Sequence, residues 1–448
     1  MELEPGFKLS KAGPIPDDWE MTTIGQVAAR KRNAIVGGPF GSDLTSQDYQ
    51  TSGVPVIRGS NMHGRYVHGP FVYVSDAKAN ALEANLAEAG DLVFTQRGTL
   101  GQVAIVPPGG YAAYLISQSQ MKVSLDDQIY DAEFLIQVFE QPEFQRKFVS
   151  SAIQTGVPHF NLAILRAVVV PRPPVQEQRG IASSLKAIDA WIASAEAEAA
   201  KLASVKAAAM DALLTPTTRL PGFSGEWDFV RIEDLYDSLS TTAVARAAYA
   251  SDAGVACIHY GDIHVRYDGF VRIGHDHVAT APDALVRSAT RLKSGDVLIA
   301  DAAEDLEGVG KAVELVAPKG FEVVGGLHVQ AFRPKSDRIA LGFAGYLFRQ
   351  NAYREAVERA ASGLKVFGIS KSQLAKLEVR LPPTIAEQEN IATVLSDIDT
   401  ALAAARAVVA KARGVKAAAM DALLSGRVRL PPFGPAAQRI AATALEVA

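Results

Sequence analysis

The chain has 448 residues, of which 48% are hydrophobic and 21% are charged, a composition typical of folded globular domains and not of disordered protein. Its 45 basic and 49 acidic residues leave a formal net charge of −4. The chain as a whole is therefore not positively charged, and its net charge gives no support to nucleic-acid binding. The single cysteine, Cys257, excludes a disulfide framework within the chain and a cysteine-based zinc cluster.

The length predicts two to four domains, at about 100–200 residues each. The first four residues are acidic and contain no apolar stretch, so we expect no signal peptide. No apolar run is long enough and free enough of charge to span a bilayer. We therefore expect a cytoplasmic protein with no membrane partner.

A short segment, residues 1–19, precedes a first globular segment at residues 20–170. Apolar or alternating runs at 54–57, 69–74, 91–94 and 103–106 lie between glycine, proline and asparagine signals and predict strands. A helix is predicted over residues 132–148. These patterns together indicate a mixed α/β domain.

Residues 171–222 predict a long helix. Pro173 and Pro174 stand where proline is tolerated before a helix, and Pro216 lies beyond its end. The apolar positions advance in steps of four and three residues, which is the spacing of a coiled-coil seam. The predicted seam residues of this helix are Ile181, Leu185, Ile188, Ile192 and Leu202.

The second globular segment, residues 223–379, repeats the mixed pattern, with strands predicted at 255–263, 269–273, 296–300 and 311–316 and a helix over 342–361. Residues 380–433 predict a second long helix, and residues 434–448 a C-terminal tail. A helix of about 38 residues is roughly 55–60 Å long. The predicted seam residues of the second helix are Ile391, Leu395, Ile398, Leu402 and Val409.

The chain is an internal repeat with an offset of 210 residues. Between residues 177–223 and 387–433, 26 of 47 aligned residues are identical, and the ten-residue block 205–214 recurs unchanged at 415–424. The globular segments correspond more weakly. We therefore predict a mixed α+β fold with a pseudo-two-fold internal repeat, in which two α/β domains are separated by two long antiparallel helices that form a coiled coil.

Several motifs recur in a fixed order along the chain. Residues 16–19 read Pro-x-x-Trp, residues 38–42 Gly-Pro-Phe-Gly-Ser, residues 54–61 a proline-containing apolar strand followed by arginine and asparagine, and residues 90–94 Gly-Asp-Leu-Val-Phe. Both helices are entered through Pro-Pro…Glu-Gln and left through Leu-Leu…Arg-Leu-Pro. In this order the chain resembles, over nearly its whole length, the specificity subunits of Type I restriction–modification systems. The second globular segment departs from the pattern, since it reads Ser-Thr-Thr-Ala at 240–243 where the first has Gly-Pro-Phe-Gly-Ser.

The resemblance implies a non-catalytic subunit that binds double-stranded DNA. Each globular domain would be a target-recognition domain that reads one half of a bipartite, asymmetric site. The helices would set the spacer and dock two methyltransferase subunits for N6-adenine methylation, and restriction subunits would join them for cleavage. The resemblance also implies that S-adenosylmethionine, ATP and Mg²⁺ are bound by partner subunits, and that this chain binds no cofactor or metal.

Arginine pairs well with guanine, and asparagine or glutamine with adenine, so these residues at predicted loops and strand ends are candidate base contacts. The spacing of Gln118 and Gln120 predicts that they share one strand face. Lys365, with Arg349, Arg354 and Arg359, is a candidate for phosphate contact. For each residue a solvated loop or a structural hydrogen bond is the alternative. The other candidate DNA contacts are Arg58, Asn61, His63, Arg65, Gln96, Arg97, Thr99, Tyr260, Asp262, His264, Arg266, His328 and Gln330.

The unchanged block at 205–214 and 415–424 predicts a surface shared by two identical partners, and helix packing within the chain is the alternative. A coiled-coil scaffold whose two globular ends bind proteins is the alternative function, and the near-neutral charge favours it. The predicted docking residues are Lys206, Met210, Leu213, Leu214, Lys416, Met420, Leu423 and Leu424.

An enzyme is disfavoured because the residues supply no catalytic set. The chain lacks the Asn-Pro-Pro-Tyr element of an adenine methyltransferase, and its glycine-rich residues 37–42 lack the lysine of a phosphate-binding loop. His275 and His277 would allow a metal site, and the acids at 301–307 a nuclease site. A polar turn and a solvated loop explain these residues better.

Overall fold

The computed structural model describes residues 5–10, 13–249, 254–335 and 338–431. The predicted C-terminal tail, residues 434–448, lies outside this part of the chain. No helix among the described residues is long and apolar enough to cross a membrane. The described residues of Met1–Ala195 and Val408–Ala448 form one unit, and those of Glu196–Ala407 form the other.

The first globular domain is built from short strands. They are β1 (Phe7–Ser10), β2 (Gly13–Pro16), β3 (Glu20–Thr23), β4 (Ile35–Gly37), β5 (Val54–Ile57), β6 (Val72–Val74), β7 (Leu86–Ala87), β8 (Leu92–Thr95), β9 (Val103–Ile105), β10 (Tyr114–Ile116), β11 (Gln120–Val123) and β12 (Val169–Arg172).

Two four-stranded sheets form the body of this domain, in the orders β6-β5-β10-β7 and β4-β11-β8-β9. Strands β5 and β10 run parallel, and the other neighbours are antiparallel. Every residue of β8 is buried, which is why this strand reads as a continuous apolar run and not as an alternating one.

Helices α1 (Ile24–Val27), α2 (Asp76–Ala81), α3 (Ala132–Glu140), α4 (Pro142–Ser150) and α5 (Leu162–Ala167) complete this domain. The prediction of one helix over 132–148 is wrong at its middle. Pro142 starts α4 because its ring and missing N–H cannot continue α3. The long helix α6 (Val175–Leu213) follows.

The second globular domain contains β13 (Asp228–Arg231), β14 (Tyr236–Leu239), β15 (Val255–Ile258), β16 (Phe270–Arg272), β17 (Thr280–Ala281), β18 (Val297–Ala300), β19 (Ala302–Ala303), β20 (Ala312–Val316), β21 (Val323–Gly325), β22 (Val329–Pro334), β23 (Phe367–Gly368) and β24 (Glu378–Leu381). Its main sheets have the orders β14-β22-β18-β20-β16 and β17-β15-β21. As in the first domain, a parallel pair, here β15 and β21, lies beside an antiparallel strand, β17. In the larger sheet β16 and β20 also run parallel.

Helices α7 (Ile232–Leu235), α8 (Tyr260–Val265), α9 (Asp283–Val286), α10 (Ala344–Leu347), α11 (Asn351–Ala360) and α12 (Lys371–Lys376) belong to this second domain. The strand predicted over 255–263 ends at Ile258, because the His259 ring accepts a hydrogen bond from the Gly261 N–H and caps α8. The helix predicted over 342–361 is divided into α10 and α11. The second long helix is α13 (Ile385–Leu424).

Within each unit a segment of α6 lies antiparallel to a segment of α13. Ion pairs join Glu177 to Arg429 and Asp189 to Lys416 in the first unit. The predicted seam residues are all buried or half-buried, which follows the heptad pattern. Buried are Ile181, Leu185, Ile391, Leu395 and Leu402, and half-buried are Ile188, Ile192, Leu202, Ile398 and Val409.

The start of each apolar stripe also serves a domain core. Ile181 and Leu185 belong to the core of the first domain, which includes Trp19 and Phe134. The equivalent residues of α13, Ile391 and Leu395, belong to the core of the second domain. Each long helix is therefore held to the domain that precedes it along the chain by burial of its first turns.

Candidate nucleic-acid interface

Four loops of the first domain leave its two sheets at one edge, which we call the loop edge. Ile57 at the end of β5 pairs with Ile116 at the end of β10, and Thr95 at the end of β8 pairs with Gln120 at the start of β11. The loop edge of the first domain comprises residues 38–44, 58–64, 96–99 and 117–119.

The loop after β5 has a structural part and an open part. Asn61 is fully buried, accepts a hydrogen bond from the Arg58 N–H at 3.0 Å and donates two to carbonyls of His68 and Pro70. The oxygen and the nitrogen of its side-chain amide are both hydrogen-bonded inside the loop, so the structure gives Asn61 a structural role. The Arg58 Nε has no hydrogen-bond partner among the described residues, and His63 is exposed.

Arg65 is turned away from the loop edge. Its guanidinium lies 2.7 Å from Glu140 and 2.8 Å from Asp189 of α6, and its side chain is only 13% exposed. Burial works against the charged form, but the two carboxylates outweigh it and raise the pKa of Arg65. This residue joins the first domain to the helix instead of facing a ligand.

Gln118 and Gln120 do not share a strand face, so the prediction from alternation is wrong. Residues 117–120 close a turn, with the Gln120 N–H donating to the Ser117 carbonyl at 3.1 Å. Gln120 is 1% exposed. Gln118 is exposed and its amide donates to the carbonyls of Gly41 and Leu44 at 2.6 and 2.5 Å, which fixes the loop at 38–44.

The end of β8 presents the most open side chains of this edge. Arg97 and Thr99 are exposed, Gln96 is half-buried, and Arg97 makes no ion pair with any residue that the structure describes. An unpaired arginine at a strand end is available for a base edge or a phosphate.

The second domain has an equivalent loop edge, formed by residues 240–248, 259–266, 301–309 and 326–328. Most of its predicted contacts are brought together there. The Tyr260 ring lies 5.4 Å from that of His264 and 5.2 Å from that of His328. The Asp301 carboxylate accepts hydrogen bonds from the His328 ring, at 3.1 Å, and from the Gln330 amide. His328 is exposed and has a φ of +55°, at the turn equivalent to residues 117–119.

Except for Lys365, the remaining candidates of the second domain have partners within the chain. Asp262 is 4% exposed and pairs with Arg246 and Arg266. Arg349 pairs with Asp268, Arg354 donates to the carbonyls of Leu306, Glu307 and Val309, and Arg359 pairs with Glu355. Lys365 is exposed and forms no ion pair within the described part of the chain. Of the four predicted phosphate contacts, only Lys365 has no hydrogen-bond or ion-pair partner among the described residues. Arg354 forms no ion pair there either, but backbone carbonyls hold its guanidinium.

Two histidines of this cluster make stability depend on pH. Burial, followed by the charge of Arg246 for His259 and of Lys311 for His264, lowers the pKa of both rings. The unfolded chain therefore binds more protons below about pH 6.5, and stability present above that pH is lost as the pH falls. We expect the melting temperature to fall between about pH 7 and about pH 5, and to fall less in the double variant His259→Gln, His264→Gln.

The control for this titration is the exposed His275, whose replacement by glutamine should leave the pH dependence unchanged. An equal loss of stability on acidification in the wild type and the double variant would contradict the assignment. Differential scanning calorimetry of the full chain at fixed ionic strength measures both.

Among the described residues, no group of three or more His, Cys, Asp or Glu side chains could hold a metal ion.

The predicted docking residues are not available to a partner. Leu213 and Leu214 are buried in the core of the second domain, and Met420, Leu423 and Leu424 in the core of the first. Met210 packs against the second core, and Lys206 and Lys416 are ion-paired within the chain. The unchanged block is therefore explained by packing between the helices and the domains, which was the alternative.

The two lysines of the block occupy equivalent charge networks. Lys206 lies 2.6 Å from Asp399 and 2.7 Å from Asp268, which also pairs with Arg349. Lys416 lies 2.6 Å from Asp189, which also pairs with Arg65. In each unit a lysine of one long helix pairs with an aspartate of the other. One member of this pair also binds a charged side chain of the globular domain, Asp268 in the second unit and Arg65 in the first.

A second pair of contacts follows the same repeat. Arg429 makes a bidentate pair with the fully buried Glu177, and Arg219 makes one with Glu387, which is 1% exposed. The carboxylates sit at the first turns of α6 and α13, where the helix dipole favours negative charge. Sequence reasoning missed these networks, although the identity of Asp189 with Asp399 and of Arg219 with Arg429 at the repeat offset was a signal for them.

Comparison with known proteins gives a consistent result. The family described as "Type I restriction modification DNA specificity domain" matches residues 16–204 and 225–408. The MjaVIII specificity subunit of a Type I restriction enzyme from Methanocaldococcus jannaschii is 21% identical over 95% of this chain and 97% of its own length. The putative MjaX specificity subunit from the same organism is also 21% identical, with the same coverage. The crystal structure of a Type I restriction–modification S subunit from M. genitalium has the same fold, with a TM-score of 0.55 at 12% identity over 94% of this chain and 99% of that one.

Proposed function

This chain belongs to the family of Type I restriction–modification DNA specificity subunits, and we propose that each of its two target-recognition domains reads one half of a bipartite, asymmetric DNA site. The observation that carries the proposal is the pair of loop edges. They leave equivalent strands but present different side chains, with Arg97 and Thr99 in the first domain and Tyr260, His264 and His328 in the second.

Two loop edges that leave equivalent strands but carry different side chains suit a DNA site whose two halves differ in sequence. Arg97 is exposed and has the donor geometry for guanine O6 and N7. The second edge offers rings, an amide and the Asp301 acceptor instead, so its half-site differs from the first. Since the chain is close to neutral, backbone contacts depend on single cations such as Lys365 and on partner subunits.

The partners and cofactors follow from the same proposal. Two copies of a methyltransferase subunit dock on the helices and methylate adenine at N6, and restriction subunits join them for cleavage. S-adenosylmethionine, ATP and Mg²⁺ are bound by these partners, and this chain contributes no catalytic group and no metal ligand. The buried residues of the repeated block pack within this chain, so the methyltransferase subunits dock on its exposed residues. These are Val205, Ala207, Ala208 and Asp211 and their counterparts Val415, Ala417, Ala418 and Asp421.

Co-expression with a methyltransferase gene adjacent to the gene for this chain tests the proposal. Sequencing of modified bases in host DNA should reveal N6-methyladenine at one split motif only when this chain is present. If a folded partner that binds S-adenosylmethionine adds no methylation, the proposal fails and a protein-binding scaffold becomes the better account.

The spacer gives a geometric prediction. Inserting four residues after Ala199 lengthens α6 by about 6 Å, close to two base-pair rises. The preferred spacer should therefore change while both half-sites stay the same. The same insertion after Gly109, in an exposed turn outside both long helices, is the control and should leave the spacer unchanged. A changed half-site in the Ala199 variant would contradict the role of the helices as a ruler.

A further inference from the structure

Each recognition domain carries a hairpin beside its loop edge, which we call the tip hairpin. It comprises residues 153–159 in the first domain and 362–368 in the second. Backbone bonds join Ile153 to His159 at 2.9 and 3.2 Å, and Ser362 to Gly368 at 3.0 and 2.8 Å. The two hairpins thus have the same closure, although their sequences differ.

Both hairpins are attached to the end of the central strand of the loop edge. In the first domain, Arg97 forms an isolated β-bridge with His159, and the Phe160 N–H donates to the Gln96 carbonyl at 3.0 Å. In the second, β19 pairs with β23, and the Ile369 N–H donates to the Asp301 carbonyl at 2.9 Å. Any ligand that covers the strand end also reaches the hairpin.

The tips of both hairpins are apolar and exposed. Val157 is 71% exposed, and Leu364 is 98% exposed beside Val366 at 59%. Each tip follows a glycine with positive φ, +75° at Gly156 and +146° at Gly363. At Gly363 a Cβ atom would lie 1.9 Å from the Val366 carbonyl oxygen, so this turn requires glycine.

Aliphatic side chains this exposed bury little apolar surface against their own domains. Their recurrence in two domains that differ at the neighbouring reading positions points to a contact that both domains share. Each tip stands beside a cation without a partner among the described residues, Arg97 in the first domain and Lys365 in the second. An apolar tip next to an uncompensated cation matches the surface of DNA, which offers sugars and base edges between phosphates.

We propose that Val157 and Leu364 are apolar DNA contacts that pack into a groove of each half-site without reading its sequence. This inference rests on the proposed function and adds a source of affinity that is not electrostatic. Because the contact is apolar, its loss should weaken specific and non-specific binding alike and should not alter the number of counterions released.

The variants Leu364→Asn and Val157→Thr test the proposal in the assembled methyltransferase complex. Binding to a duplex carrying the methylated motif and to one lacking it is measured over a range of salt concentrations. We expect each variant to weaken both affinities about three- to tenfold, with parallel salt dependence and an unchanged methylation motif. Lys365→Ala should instead reduce the slope of the salt dependence by about one.

Phe321→Asn is the matched control. Phe321 is 54% exposed, but it precedes β21 at the end of the sheet opposite to the loop edge, so the replacement should leave binding unchanged. If Leu364→Asn binds like this control, the tip contact is refuted. If it instead weakens association with the methyltransferase while DNA binding by the isolated chain stays constant, the tip contacts protein and the proposal is also refuted. If the proposed function itself is wrong, the wild-type complex methylates no split motif, and this result is distinct from a loss of the tip contact alone.

Discussion

Replacing Arg429 by methionine should lower the free energy of local unfolding of the first unit by about 3–5 kcal/mol, because it leaves a buried carboxylate without its partner. Glu177 is fully buried, and it bonds Arg429 at 2.6 Å and the Trp19 indole N–H at 3.0 Å. Although burial disfavours the charged guanidinium, Glu177 and Asp18 outweigh it and raise the pKa of Arg429. Hydrogen exchange of the amides in the first turns of α6 measures the effect.

The controls isolate the buried pair. Arg427 also pairs with an aspartate, Asp421, but both side chains are more than half exposed, so Arg427→Met should cost at most about 1 kcal/mol. The double variant Glu177→Gln, Arg429→Met should recover most of the loss, because the buried charge is removed with its partner. If the single and double variants are equally unstable, packing of the Arg429 stem and not charge pairing holds this end of the unit.

The long helices and the repeat were predictable because each rests on a pattern extended over many residues. The 4-3 spacing from Ile181 to Leu202 was enough to predict a helix, and the structure has it from Val175 to Leu213. Short elements failed where one residue decided the outcome. Pro142 divides a helix, and the His259 cap turns an apolar run into the helix α8.

The candidate site was predictable only by residue type. Arg58, Arg65 and Arg97 look alike in sequence, yet Arg65 is neutralised by Glu140 and by Asp189, which is 124 residues away. Likewise Asp301 appeared to be an acid of a solvated loop, and it holds His328 and Gln330 through bonds made across two strands. Such pairings depend on long-range register, which no local pattern contains.

The way the helices are held explains why the domains can differ. The Gln178 amide bonds only backbone groups. It accepts from the Asp131 N–H at 2.8 Å and donates to the Ile129 carbonyl at 3.1 Å in the first domain and to the Pro173 carbonyl before the helix. Gln388 makes the equivalent bonds to the Ala340 N–H and the Arg338 carbonyl. Because backbone groups are common to all side chains, this attachment tolerates replacement of the domain sequence.

Exchanging residues 20–165 for the equivalent domain of another family member should therefore change one half of the methylated motif completely and leave the other half and the spacer as they were. The helices keep their own contacts, and the new domain meets Gln178 through its backbone. Modified-base sequencing after co-expression with the methyltransferase measures the motif. The side-chain contacts at risk include those of Asp189 with Arg65 and of Lys416 with Glu140. The contact of Lys186 with the Tyr66 hydroxyl is at risk as well.

Two versions of the exchange distinguish recognition of the DNA half-site from attachment of the domain to the long helices. One carries arginine and glutamate at the positions of Arg65 and Glu140, and the other carries methionine and glutamine there. Both should give the same new half-site, since neither position faces the loop edge. The second should be less stable, because Asp189 and Lys416 keep only each other and lose their partners in the domain. If both half-sites change together in either version, the two domains do not read DNA independently. If the two versions give different half-sites, Arg65 takes part in reading and its assignment to attachment is wrong.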